Sequence, residues 1–176
     1  MADCEPIMHV VQRQWDGVEV GCARGVSSER FLLRQCEMLF VDPWSRCDGY
    51  EEELGLHGAY EEFCERVGKF WGWKALRTTS EGAARTYLHP RGFDFAFIDG
   101  NHKYEFVLQD CRLWWEHLRD GGWLFGHDYN LPLHEWGVKT AVNEFAKSKN
   151  LTAQEFPTTK EGGFSCWGIK KPEVLK

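Results

Sequence analysis

The sequence predicts an α/β fold: a doubly wound, mostly parallel sheet with helices on both faces and a C-terminal antiparallel hairpin. Three observations predict it. Short apolar, β-branched runs alternate with longer amphipathic ones from residue 17 to residue 147, the pattern of repeated βαβ units. Gly, Pro, Asp and Asn punctuate the changes of period. Beyond residue 150 the alternation stops, and two apolar runs are joined by a short Gly-rich connection, which favours antiparallel pairing.

Five strands are expected near 17–21, 37–42, 74–78, 93–99 and 121–127. The first is followed by a small-residue turn, and Ser27 to Leu33 can start a helix after it. Ala59 to Phe70 is amphipathic through Tyr60, Phe63, Cys64 and Val67, whereas Ser80 to Leu88 is alanine-rich and stops before His89-Pro90. Tyr104 to Leu118 repeats apolar residues at helical spacing. A last helix, about Val138 to Lys147, precedes a strand at Leu151 to Phe156, a turn at Glu161-Gly162-Gly163 and a strand at Phe164 to Ile169. The sheet therefore ends with one strand reversed at or near its edge.

A chain of 176 residues with 43% hydrophobic content can bury one full core, so residues 1–176 are read as a single domain. The formal charge of −6, with no basic face, argues against nucleic acid or an anionic membrane as partner and for a small molecule. Seven cysteines, at 4, 22, 36, 47, 64, 111 and 166, form no C-x-x-C pair and read as reduced core residues. With no signal-peptide pattern and no long apolar run, a cytoplasmic location is expected. Of nine tryptophans, most are expected in the core, with a functional claim only for Trp44, Trp123 and Trp136 beside strand ends. The loop from Trp44 to Leu56, with Asp48-Gly49 and three glutamates, reads as the least ordered part.

In a parallel sheet, ligands bind beyond the carboxyl ends of the strands. Those ends carry Gly21-Cys22-Ala23-Arg24-Gly25, then Asp42-Pro43-Trp44, then Thr78-Thr79-Ser80-Glu81, then Asp99-Gly100-Asn101-His102, then His127-Asp128-Tyr129-Asn130. Gly21, Ala23 and Gly25 let a nucleotide approach the backbone. Asp42, one βαβ step on, is placed to accept ribose hydroxyls; Pro43 or Trp44 could wall an adenine, and Ser80 and Glu81 could meet its polar edge. Ser27 and Ser28 are expected to cap the first helix and could bind a carboxylate. A dinucleotide fingerprint would want glycine at 23 and 26, where this chain has Ala and Val, so a ligand without a pyrophosphate fits better.

These residues resemble the class I S-adenosylmethionine-dependent methyltransferases. Val18 to Gly25 is similar to that family's first motif, with Glu19 as the acidic residue on the strand, and Asp42 matches its ribose ligand. Phe95 to Glu105 and Gly121 to Tyr129 look like the branch containing macrocin O-methyltransferase-like enzymes. The resemblance implies a seven-stranded fold, S-adenosylmethionine as cofactor and methyl transfer to a small acceptor.

Asp99, His102, His127 and Asp128 crowd two strand ends that such a sheet makes neighbours. For a hydroxyl acceptor, transfer needs alignment and removal of a proton, and His102 is the first candidate base, with Asp99 and His127 beside it. Asp99 could instead orient the methionine end of the cofactor. Asp99, His127 and Asp128 could also hold a divalent ion, Mg²⁺ or Mn²⁺, although metal-dependent relatives favour two adjacent carboxylates where this chain has His127-Asp128. His57, His89, His117 and His134 read as surface residues. Only about 16 residues precede the first strand, so the acceptor pocket is expected to be open, roofed by the 44–56 and 129–137 segments, or completed by another subunit in a homo-oligomer. Two other readings stand beside the first: a nicotinamide-dependent oxidoreductase and a non-catalytic binding module.

Overall fold

A computed structural model describes residues 4–45, 57–131 and 137–174. Seven strands form one sheet: β1 (Asp16–Val20), β2 (Glu37–Val41), β3 (Trp73–Leu76), β4 (Phe93–Ile98), β5 (Leu118–Gly126), β6 (Gln154–Phe156) and β7 (Cys166–Lys170). Their spatial order is β3-β2-β1-β4-β5-β7-β6. The first five run parallel, and β7 lies antiparallel between β5 and β6. The reversed strand is thus one place in from the edge.

Among the described residues five helices connect them: α1 (Val26–Leu33), α2 (Ala59–Val67), α3 (Ser80–Thr86), α4 (Tyr104–His117) and α5 (Val138–Ser148). Each overlaps a stretch expected to be helical. Period-two alternation divides the sheet into two unlike faces. Leu39 and Val41, Ala96 and Ile98, and Leu124 point to one core with α3, α4 and α5. Met38 and Phe40, Phe95 and Phe97, and Phe125 point to the other, packing on Phe31 of α1 and Phe63 of α2. A short 3-10 turn, Glu5–Ile7, was not legible; Cys4, Ile7 and Val11 are nonetheless fully buried and cover part of this aromatic face.

Cys4, Cys22, Cys36, Cys111 and Cys166 are buried and Cys64 is half-buried; Cys47 lies outside the described residues. Among the described residues, no helix is long and apolar enough to cross a membrane. The loop expected to be least ordered falls largely on residues 46–56, outside the described set, as do Trp136 and His134.

Candidate active site

The strand order reverses direction between β1 and β4, so their connecting helices leave on opposite faces and a crevice opens at their carboxyl ends. Gly21 sits in it with φ of 87°, and a Cβ there would lie 2.2 Å from the Asp99 carbonyl oxygen. Only glycine permits this approach of the two backbones. Ala23 is also left-handed, with φ of 45°, and is exposed to the crevice.

The acidic residues on this side face inward. Glu19 alternates out of phase with Val18 and Val20, which points it at α1, where it is fully buried. One carboxyl oxygen accepts from Ser27 Oγ and the other from Ser28 Oγ at 2.6 Å. Burial, opposed by these bonds, pushes the Glu19 carboxyl up to about 8. Ser27 and Ser28 were expected as helix caps; α1 is instead capped at Gly25 without a side-chain bond, because both hydroxyls are committed to Glu19. Neither Glu19 nor Ser27 faces the crevice; they fix α1 to β1 beneath the turn.

Asp42 grips the turn rather than standing free for a ribose. Its Oδ2 accepts from Ala23 N at 2.9 Å and its Oδ1 from Trp44 N at 2.6 Å. Burial, opposed by these backbone bonds, raises its pKa. Trp44 also departs from the adenine wall expected of it. With φ of 45° its ring turns inward against Tyr60 and Phe63, and its indole N–H donates to the Ala23 carbonyl at 2.7 Å. Pro43 remains half-exposed beside it.

Across the crevice, β4 and β5 are hydrogen-bonded neighbours in register Ile98 to Gly126, which brings Asp99 beside His127 and Asp128. His102 Nε2 lies 2.9 Å from Asp128 Oδ2 and 3.8 Å from Asp99 Oδ1. His127 Nδ1 lies 3.1 Å from Asp128 Oδ1 and 3.8 Å from Asp99 Oδ1. All four predicted residues therefore meet. Burial pulls the His102 imidazolium down, but Asp128 and Asp99 outweigh it and push the group up to about 9. The same balance raises His127. Burial lifts Asp128, yet bonds to both histidines hold it well below the usual carboxylate range, whereas burial leaves Asp99 raised. Asp128 adopts φ of 61°, a left-handed conformation that aspartate tolerates better than most residues. Asn101 Oδ1 accepts from Lys103 N at 3.0 Å at the start of α4.

As a metal site, the donor set fits with one change. Asp99, His102 and Asp128 each offer a ligand atom, all within 4.8 Å of one another. The converging imidazole is thus His102, not His127, whose Nε2 is buried without a hydrogen-bond partner among the described residues. His127 lines a small pocket together with Asp99, His102, Ile98, Val107, Val138 and Trp167.

Other expected residues are placed differently. Glu81 pairs with Arg85 at 2.6 Å, and Ser80 Oγ accepts from Trp114 Nε1 at 2.9 Å. Trp123 is half-buried and stacks on Phe125 at the border of the aromatic core. His89 is not a surface residue: its ring packs on Phe93, and Nε2 lies 3.4 Å from Asp16. His117 is half-buried against Trp114, and His57 is exposed. Sequence reasoning missed Asp110, which is buried on α4; the signal was an acidic residue sharing the apolar helix face of Val107 and Trp114.

A glycine-bearing turn at a β1/β4 switch point, a titratable cluster at β4 and β5, and a reversed β7 define the class I S-adenosylmethionine-dependent methyltransferase fold. The chain belongs to the methyltransferase domain family, which matches residues 18–129. The structure is similar to the N-methyltransferase NodS from Bradyrhizobium japonicum WM9, with a TM-score of 0.61 and 15% identity over 92% of this chain and 88% of that one. It is also similar to the O-methyltransferase TomG from Streptomyces achromogenes in complex with SAM, with a TM-score of 0.67 and 15% identity over 92% and 75% of the two chains. Identities this low support the fold. An uncharacterised protein of Acanthamoeba polyphaga mimivirus is 40% identical over 86 residues, which span 49% of this chain and 38% of the viral protein.

Proposed function

We propose that this methyltransferase carries out O-methylation of a small hydroxylated molecule, with S-adenosylmethionine held at the β1–α1 turn and His102 receiving the acceptor's proton. The observation that carries it is the Asp99, His102, His127 and Asp128 cluster, directly across the crevice from Gly21. When bound, the cofactor supplies an electrophilic methyl on a positively charged sulfur. Held there, it would give its methyl to the acceptor oxygen, the C–S electron pair returning to sulfur, and the hydroxyl proton would pass to the His102 ring, whose Nε2 faces Asp128. Gly21 and Ala23 offer backbone at the crevice, and Asp128 holds the imidazole in place. Because its carboxylate partners raise His102 to about 9, it is mostly protonated at neutral pH and must release that proton first. The transfer rate is accordingly expected to rise with pH toward about 9.

A second reading rests on the convergence of Asp99, His102 and Asp128. A divalent ion there would take the place of the His102 proton, and the mixed oxygen and nitrogen donors suit Mn²⁺ better than Mg²⁺. A small acceptor, and a pocket completed by another copy of the chain, are part of the proposal.

Titration calorimetry with S-adenosylmethionine, S-adenosylhomocysteine and NAD, with and without Mn²⁺ or Mg²⁺, tests the binding half. Affinity for both sulfur ligands and none for NAD supports it, and the converse overturns it; a metal effect selects the second reading. Label transfer from methyl-labelled cofactor to a panel of hydroxylated small molecules tests the chemistry. His102→Ala should lower that transfer at least 100-fold with cofactor affinity retained. Retained transfer rejects His102 as base, and binding with no transfer to any acceptor favours a non-catalytic module.

A further inference from the structure

Asp110 lies near the middle of α4 and is 6% exposed. Among the described residues no cation faces it; its polar neighbour is the Ser80 hydroxyl, which accepts from Trp114 Nε1 at 2.9 Å. Asp110 and Trp114 are one helical turn apart, so they project from the same face of α4 and grip Ser80 between them. Burial pushes the Asp110 carboxyl up to about 7, opposed by the Ser80 bond. A buried carboxyl without a countercharge is a costly way to hold two helices together, since an amide or an apolar pair would do so more cheaply.

What Ser80 anchors explains the expense. It is the first residue of α3, directly after the Thr78-Thr79 turn at the carboxyl end of β3. β3 is the edge of the sheet, bonded to β2 alone, and α3 has only seven residues, so this turn has little sheet or helix to steady it. Thr79 Oγ1 accepts from Gly82 N at 3.2 Å, which closes the turn locally. The fork from α4 supplies the tertiary tie. The same helix begins just after His102, so α4 connects the β3 turn to the titratable cluster.

We propose that Asp110 is a positioning residue that, through Ser80, fixes the Thr78–Ser80 turn as the β3 wall of the cofactor crevice. The inference rests on the reading of that crevice as a cofactor site. It is tested on the full chain with Asp110→Ala, Asp110→Asn, Ser80→Ala and the Asp110→Ala/Ser80→Ala double variant. Hydrogen exchange in the ligand-free proteins reads the tie: exchange at residues 78–83 should rise in Asp110→Ala while β4 and β5 amides hold, and unchanged or uniformly raised exchange overturns the proposal. Calorimetry with S-adenosylmethionine reads its consequence. Asp110→Ala and Ser80→Ala should each weaken affinity about tenfold, the double variant no further, and Asp110→Asn should recover most of it. Unchanged affinity in the single variants, or additive losses in the double, overturns the proposal while leaving the functional reading intact. If the wild-type chain fails to bind S-adenosylmethionine, the functional reading falls and the cofactor role of Asp110 with it, whatever the exchange data show.

Discussion

The two sides of the crevice solve the problem of buried acidity in opposite ways. On the β1–β2 side, Glu19 and Asp42 are committed to partners within the fold: serine hydroxyls for the first, backbone amides of Ala23 and Trp44 for the second. On the β4–β5 side, Asp99 and Asp128 face two histidines whose protons can leave. The first side is a scaffold whose carboxyls are tied by hydrogen bonds within the fold, and the second is a cluster whose protons can redistribute. A methyl donor needs a rigid seat, whereas a hydroxyl acceptor needs somewhere for its proton to go.

Four substitutions press on that contrast, from the strongest effect to the weakest. Gly21→Ala places a methyl against the Asp99 carbonyl in a left-handed conformation, forcing the two sides apart. It should cost on the order of 3 kcal/mol in urea unfolding and abolish cofactor binding; a loss under about 1 kcal/mol would mean the seat is not rigid. Asp128→Asn strips His102 of its nearest carboxylate, so the inflection of the pH–rate profile should move from about 9 toward the ordinary histidine value, and an unmoved inflection would remove Asp128 from that role.

Glu19→Gln probes the scaffold by stability. The folded pKa of Glu19 is raised, so its contribution is fully present below the unfolded value of 4.5 and is lost as pH rises through about 8. Thermal melts should show Glu19→Gln gaining about 5 °C on wild type at pH 8.5 compared with their difference at pH 4.5; equal differences at both would show that Glu19 does not titrate in the fold. Lys69→Ala breaks an exposed ion pair with Glu29 on α1, outside both sides, and should change stability by less than about 0.5 kcal/mol.

The sheet was legible because its strands and helices carry opposite periods, and the reversed β7 because a Gly-rich connection cannot carry a crossover. The reactive cluster was legible for a topological reason: parallel strands deliver the residues after each of them to one edge, so Asp99, His102, His127 and Asp128 had to converge. The scaffold side was harder. Asp42 and Trp44 are spaced as ligands would be, yet the left-handed backbone at Ala23 and Trp44 folds them onto each other, and no residue type at those positions announces a positive φ. Glu19 could have been placed by alternation with Val18 and Val20, which assigns it to the α1 face. Asp110 was overlooked because a single acidic residue barely perturbs an apolar stripe.

The place of β7 between β5 and β6 bears on how the molecule is made. Until Cys166–Lys170 emerges during synthesis, β5 has a bare edge of unpaired amides and carbonyls beside the strand end that carries His127 and Asp128. The sheet cannot be completed in the order it is translated, because a later strand must enter between two earlier ones. The β4–β5 edge is therefore expected to acquire its final geometry late, after the β1–β2 side is already whole.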